Sequence, residues 1–196
     1  MQSLKEEKKC QRSEIRKRIA AMDEIELEKS DNAIYNNLSS LAELCGAKRV
    51  FLYASAGREI STEKLIASLY AQGKTVCLPV SLANGEMFFA EYRPETLCEG
   101  RFKGILEPSP NAAPVEPAEG DIILVPALCF NRQGYRMGQG GGYYDRYLSR
   151  HKLYSVGLAR EALLCDGLQT EPHDIRVDCV VTETEIIKTG VPEGTP

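Results

Sequence analysis

Apolar residues recur along the chain as short buried-strand runs separated by helical stripes. That alternation predicts an α/β fold with a largely parallel sheet. Residues 5 to about 28 read as one helix, and residues 30–45 as a second, with Ile34, Leu38, Leu41 and Cys45 at helical spacing. Strands are expected at 49–54, 75–80, 87–92, 121–128, 153–159 and about 178–183, and helices at 61–70 and 143–151. Asn84-Gly85 signals a hairpin, hence an antiparallel pair at one sheet edge. Residues 93–120 are proline-rich and read as a mostly irregular covering loop. One domain over 1–187 is expected, with a frayed tail at 188–196.

The first helix has an odd docking face. Ile15, Ile19 and Met22 form one stripe, and Lys8 and Arg12 continue it toward the N-terminus, with Arg16 at its flank. Bases on a docking face need an anion to meet; snorkelling or internal ion pairs would serve equally. Residues 1–18 hold seven bases and three acids, a net of +4 in a chain of net −4, so the body is acidic. An acidic body argues against a nucleic-acid partner, whose footprint is a broad basic surface. No apolar run is long enough for a membrane span or a signal core, so a cytoplasmic protein is expected. The seven cysteines show no metal-knuckle or redox-pair spacing and read as reduced thiols.

The densest chemistry lies in Arg136-Met-Gly-Gln-Gly-Gly-Gly-Tyr-Tyr-Asp-Arg146, with glycine at 138, 140, 141 and 142. It lies between an expected strand and an expected helix, the arrangement of a phosphate cradle. It is not a dinucleotide fingerprint, because Tyr143 stands at the third glycine position. Gly73-Lys74-Thr75 is not a P-loop, because Ser68 stands where its first glycine belongs. Asp145 is either a plain first-turn helix acid or a metal carboxylate. Glu59 lies at the carboxyl edge of the sheet, as a loop acid or a ligand contact. Asp174 and Asp178 lead into a strand. His173 shapes that turn or serves the site, and His151 reads as a dipole partner at a helix end. No serine or cysteine lies in a nucleophile motif, so no covalent catalyst is expected.

Taken together, several segments resemble the 5-formyltetrahydrofolate cyclo-ligase family over roughly residues 8–187. They are Lys8-x3-Arg12-x3-Arg16, Arg58-Glu-Ile-Ser-Thr62, Gly73-Lys74 with Leu78-Pro79-Val80, Gly104-Ile-Leu-Glu-Pro108, Val125-Pro126, the glycine segment, and His173-Asp-Ile-Arg-Val-Asp178. The resemblance implies a three-layer α/β/α sandwich with a mixed sheet. It implies ATP- and Mg²⁺-dependent cyclisation of 5-formyltetrahydrofolate, through a phosphorylated formyl intermediate, to 5,10-methenyltetrahydrofolate, ADP and phosphate. ATP would lie against Lys8, Lys9, Cys10, Gln11 and Arg12, and against Arg136, Met137, Gly138, Gln139, Gly140, Gly141, Gly142, Tyr143 and Tyr144. The folate would meet Ala54, Glu59, Gln139, Gly140, Gly141, Gly142 and Tyr143, with Arg136 and Tyr143 supporting catalysis. Asp145 and Asp178 would hold Mg²⁺. Gln139 stands where relatives commonly carry a base. A monomer acting on small molecules, away from membranes, is expected. A sugar-phosphate enzyme of related fold and a non-catalytic folate- or nucleotide-binding regulator are the competing readings.

Overall fold

The computed structural model describes residues 4–102 and 104–190, leaving aside the side chain of Asn84. The first expected helix ends early. α1 spans Leu4–Ala21, and α2 (Glu24–Ser39) begins after Asp23, whose carboxylate accepts the Ile25 N–H at 2.8 Å. An aspartate that bonds a backbone N–H two residues on favours a cap over continued helix. The second expected helix also breaks. Ser40 returns its hydroxyl to the Asn37 carbonyl, and α3 (Ala42–Gly46) follows as a separate turn. β1 (Arg49–Phe51), α4 (Glu63–Ala71), β2 (Thr75–Ser81) and β3 (Met87–Glu91) then follow. β2 and β3 pair antiparallel, Ser81 opposite Met87, around a turn in which Gly85 takes φ +77°.

Residues 93–120 carry more structure than expected. β4 (Leu97–Glu99) and β5 (Leu106–Pro108) make a small antiparallel ribbon. β6 (Ile122–Val125) stops before Pro126, which cannot donate to a ladder. A second ribbon follows, β7 (Cys129–Phe130) with β8 (Arg136–Met137). Buried Asn131 closes it by accepting the Gln133 and Tyr135 N–H groups. α5 (Tyr143–Arg150), β9 (Tyr154–Leu158), β10 (Cys179–Val181) and β11 (Ile186–Lys188) complete the chain. β11 shifts the expected tail boundary. Lys188 pairs with Cys179, Thr189 is buried, and residues 191–196 lie outside the described residues.

The main sheet runs β11-β10-β9-β6-β1-β2-β3, parallel from β10 to β2 with antiparallel edges. Its period of two sends alternate side chains to two cores. Val50, Leu52, Val76, Ile122 and Leu124 meet Ile34 and Leu38 of α2 and Leu65 and Leu69 of α4. Phe51, Ile123, Val125 and Val180 face the other way, onto Phe130 and Tyr147 of α5. The result is the three-layer α/β/α arrangement. α1 stands apart from both cores and packs Ile15 on Leu128, Cys129, Met137 and Leu163. That placement carries its cationic stripe over the carboxyl end of the sheet.

Candidate active site

Strand order reverses beside β1, with β2 to one side and β6, β9 and β10 to the other. Open α/β sheets bind ligands outside the carboxyl ends of the strands at such a point. Here it holds a cavity of about 1000 Å³. Tyr53 and Ala54 line it after β1, Pro126 to Leu128 after β6, and Ala159 and Arg160 after β9. That volume is at the upper end for one drug-sized ligand.

The glycine segment leaves β8 and crosses this cavity to α5. Gly140 (φ +100°) and Gly142 (φ +68°) take left-handed backbone, which a side chain would strain. A Cβ at Gly140 would also come within 3.5 Å of the Arg12 guanidinium carbon. α1 grips the segment, because Arg12 donates to the Gly138 carbonyl at 3.1 Å and Arg16 to the Gln139 side chain at 2.6 Å. Arg146 ties it to the β2–β3 turn by donating to the carbonyls of Gly85 and Gly141. Tyr143 stands at the mouth, edge-on to Phe102 with 6.0 Å between centroids.

Cations and acids meet at the α1 side. Lys8 is buried and pairs with Glu171 at 2.7 Å and Asp174 at 2.8 Å. Burial opposes its charge, but the two carboxylates more than offset this and hold its pKa above the usual lysine value. Burial likewise opposes the charge of Asp174, yet Lys8 and the Glu171 N–H keep its carboxyl below the usual range. Arg136, with its side chain 5% exposed, donates to Asp145 at 2.6 Å and to the Ile175 carbonyl at 2.6 Å. Burial lowers its pKa from the ordinary arginine value. Asp145 Oδ1 takes Arg136 and the Ile175 N–H, leaving Oδ2 without a hydrogen bond among the described residues. Glu59 is half-buried and its carboxylate accepts the Ala56 N–H at 3.0 Å; burial pushes its pKa up. The Tyr144 hydroxyl is buried without a hydrogen-bond partner, and burial holds the phenol protonated.

The cavity thus gathers Lys8, Arg12, Ala54, Glu59, Arg136, Met137, Gly138, Gln139, Gly140, Gly141, Gly142, Tyr143, Tyr144 and Asp145. Other expected positions fall elsewhere. Lys9 and Cys10 are exposed on α1 away from the cavity, and Gln11 donates to the Gly167 carbonyl. They occupy the other faces of a helix whose docking stripe recurs every three or four residues. Asp178 is corrected as well. It sits just before β10, where its Oδ2 accepts the Ser155 N–H at 2.8 Å and the Ser155 hydroxyl at 2.7 Å. It closes the amino end of two parallel strands, whereas the cavity lies beyond their carboxyl ends, so the Asp145–Asp178 metal pair does not form there. From the same motif, Glu171, His173 and Asp174 line the cavity, with possible ligand atoms within 4.8 Å of one another. Ser81, Glu107 and Arg160 are polar lining residues that were not expected at the site. Only Glu107 carried a signal, in the segment Gly104-Ile-Leu-Glu-Pro108.

Fold and cavity together define an α/β enzyme for small-molecule substrates, with a glycine-rich phosphate-type loop at a topological switch point. The 5-formyltetrahydrofolate cyclo-ligase family model matches residues 4–183, and the chain belongs to that family. The chain is 36% identical over 170 residues to the 5-formyltetrahydrofolate cyclo-ligase of Haemophilus influenzae, covering 84% of this chain and 91% of that protein. It is 35% identical to the Escherichia coli K12 protein of the same name, covering 71% and 80%. The NMR structure of Aquifex aeolicus 5,10-methenyltetrahydrofolate synthetase superposes with a TM-score of 0.84 at 30% identity, covering 96% of each chain. Among the described residues, no helix is long and apolar enough to cross a membrane.

Proposed function

We propose that this enzyme closes 5-formyltetrahydrofolate to 5,10-methenyltetrahydrofolate at the expense of ATP. The observation that carries the reading is one cavity of about 1000 Å³ with a cationic, glycine-framed end and an apolar end. The formyl oxygen attacks the γ-phosphorus, and the bond to ADP breaks. The N10 lone pair then adds to the formyl carbon, N10 gives up its proton, and phosphate leaves with the former formyl oxygen. No protein nucleophile is required, so the chain's task is positioning and charge neutralisation.

Lys8, Arg12 and Arg136 face the polyphosphate, and backbone N–H groups of the glycine segment receive its oxygens. Arg136 stays fixed through Asp145 and the Ile175 carbonyl, so its charge need not reorganise during transfer. Lys8, braced between Glu171 and Asp174, is held on the same side. The Oδ2 of Asp145 suits Mg²⁺, which takes one or two carboxylates plus phosphate oxygens, and Asp174 is a further acid lining the same cavity. When bound, Mg²⁺ would neutralise charge on the transferred phosphoryl group. Glu59 and Ala54 stand on the loop after β1 and bound the folate. The monomer is the proposed active unit. Seven free cysteines suit a reducing, cytoplasmic setting.

Pure protein mixed with 5-formyltetrahydrofolate and Mg-ATP should generate the methenyl absorbance together with stoichiometric ADP. Turnover that continues without nucleotide, or in excess chelator, would exclude this reading. A regulator would bind the ligands and produce no ADP.

A further inference from the structure

The cavity has two unlike ends, and one carboxylate at the apolar end has no task in the reaction above. Pro79, Met87, Phe102 and Ile105 line that end. Among them Glu107 of β5 is 4% exposed. Among the described residues its side-chain hydrogen bonds both come from Ser81, where β2 ends: Oε2 accepts the Ser81 N–H at 3.0 Å and Oε1 the Ser81 hydroxyl at 2.8 Å. No described cation lies within ion-pair distance. A carboxylate has about four acceptor sites, so one remains on each oxygen. A buried charge of this kind calls for donors. Nearby, Tyr144 lines the same cavity with its hydroxyl buried and unpartnered, and Glu107 is among the charges that act on that phenol. A buried polar group without a partner marks a place where something else completes the bond.

We propose that Glu107, with the Tyr144 hydroxyl, recognises the 2-amino-4-oxopyrimidine edge of the folate. That edge presents two adjacent donors, the ring N3–H and the 2-amino group, followed by the O4 acceptor. A carboxylate takes two adjacent donors side by side, and a protonated phenol supplies the donor for O4. The adenine of ATP fits worse. Its N6 amino group donates, but the adjacent N1 accepts, so one carboxylate oxygen would face a lone pair. Phe102 and Met87 offer the apolar surface that a flat ring needs. Ser81 is the positioning residue, since it fixes both carboxylate oxygens. The inference rests on the reading that the substrate is a reduced folate.

The test measures KM for 5-formyltetrahydrofolate and for ATP in Glu107→Ala and Glu107→Gln, together with inhibition of the wild type by the 2-desamino analogue of the folate. Glu107→Ala should raise KM for the folate by about 10- to 100-fold, the range for lost hydrogen bonds to a charged acceptor, and leave KM for ATP within about twofold. Glu107→Gln should lie between, because its amide can accept from only one of the two donors. The wild type should bind the desamino analogue about tenfold more weakly than the parent folate, and Glu107→Ala should bind both alike. A rise confined to KM for ATP, or a wild type indifferent to the missing amino group, would overturn the assignment. Should Glu107→Ala fail to fold, shown by loss of its melting transition, the analogue comparison on wild type decides alone. A wild type that binds folate without turning it over defeats the cyclo-ligase reading, while calorimetry with parent and analogue still decides the role of Glu107.

Discussion

The two ends of the central sheet use acids in opposite ways. At the amino end the acids named tie strand ends together. Asp121 takes a two-pronged grip from Arg49 at 3.1 and 2.6 Å and the Ala118 N–H at 2.7 Å. Asp178 takes both groups of Ser155. At the carboxyl end the polar groups are left short. Among the described residues Asp145 keeps an unbonded oxygen, Glu107 keeps acceptor capacity, and the Tyr144 hydroxyl and Arg160 Nε have no partner. Folding by itself favours the first pattern, since an unmade buried hydrogen bond costs about 1–3 kcal/mol. Of the three buried side-chain atoms without a hydrogen-bond partner among the described residues, two belong to the cavity-lining Tyr144 and Arg160, where a ligand would complete the bonding, and the third is the Ser30 hydroxyl of α2.

The comparison breaks most visibly at Arg136. Arg136→Met should cut kcat/KM by about 100-fold or more, because a buried, preorganised charge is lost where negative charge develops. Steady-state kinetics, with circular dichroism to confirm folding, checks it. Next is Lys8→Ala, expected to raise KM for ATP about 10- to 100-fold while KM for folate moves little. Equal changes in both would remove Lys8 from the phosphate end. At the opposite end, Asp178→Asn should lower stability by about 1 kcal/mol in urea denaturation and leave the Mg²⁺ dependence of turnover unchanged. Asp145→Asn should instead shift that Mg²⁺ dependence to higher concentration, and a matching shift for Asp178→Asn would merge the two ends.

The smallest effect concerns Glu59 and pH. Burial raises its folded pKa above the unfolded value, so the folded state holds the proton more tightly. That contribution is complete below the ordinary glutamate range and is lost as pH rises through the raised folded value. At neutral pH the charged form is a burden, so Glu59→Gln should be at least as stable as the wild type while binding folate more weakly. Melting curves on either side of that window, paired with folate titration, would show it. A variant less stable at neutral pH would mean that the charge is already compensated.

Elements with a strong period were legible in the sequence. The strand runs around 50, 76, 123 and 156, the β2–β3 hairpin and the cationic stripe of α1 all stand where the pattern placed them. The misses have separate causes, a cap, a short ribbon and partners far along the chain. Asp23 reads as one more helix residue until its cap geometry is seen. The β4–β5 ribbon is too short to show alternation. In Glu171-Pro-His-Asp-Ile-Arg-Val-Asp178 the spacing of acids does not reveal which end of the sheet each will reach. Asp174 meets Lys8 and Asp178 meets Ser155, and those partners lie 166 and 23 residues away.

The separation at Lys8 bears on how the molecule assembles. Its two carboxylate partners lie 163 and 166 residues further along the chain. α1 is made long before the groups that receive it. Contacts that close so large a loop gain nothing until the intervening chain is ordered. The sheet and its two helical layers can form first, with α1 undocked. The end of the cavity that Lys8 braces is then completed only once Glu171 and Asp174 are in place, so the site opens for work only with α1 docked.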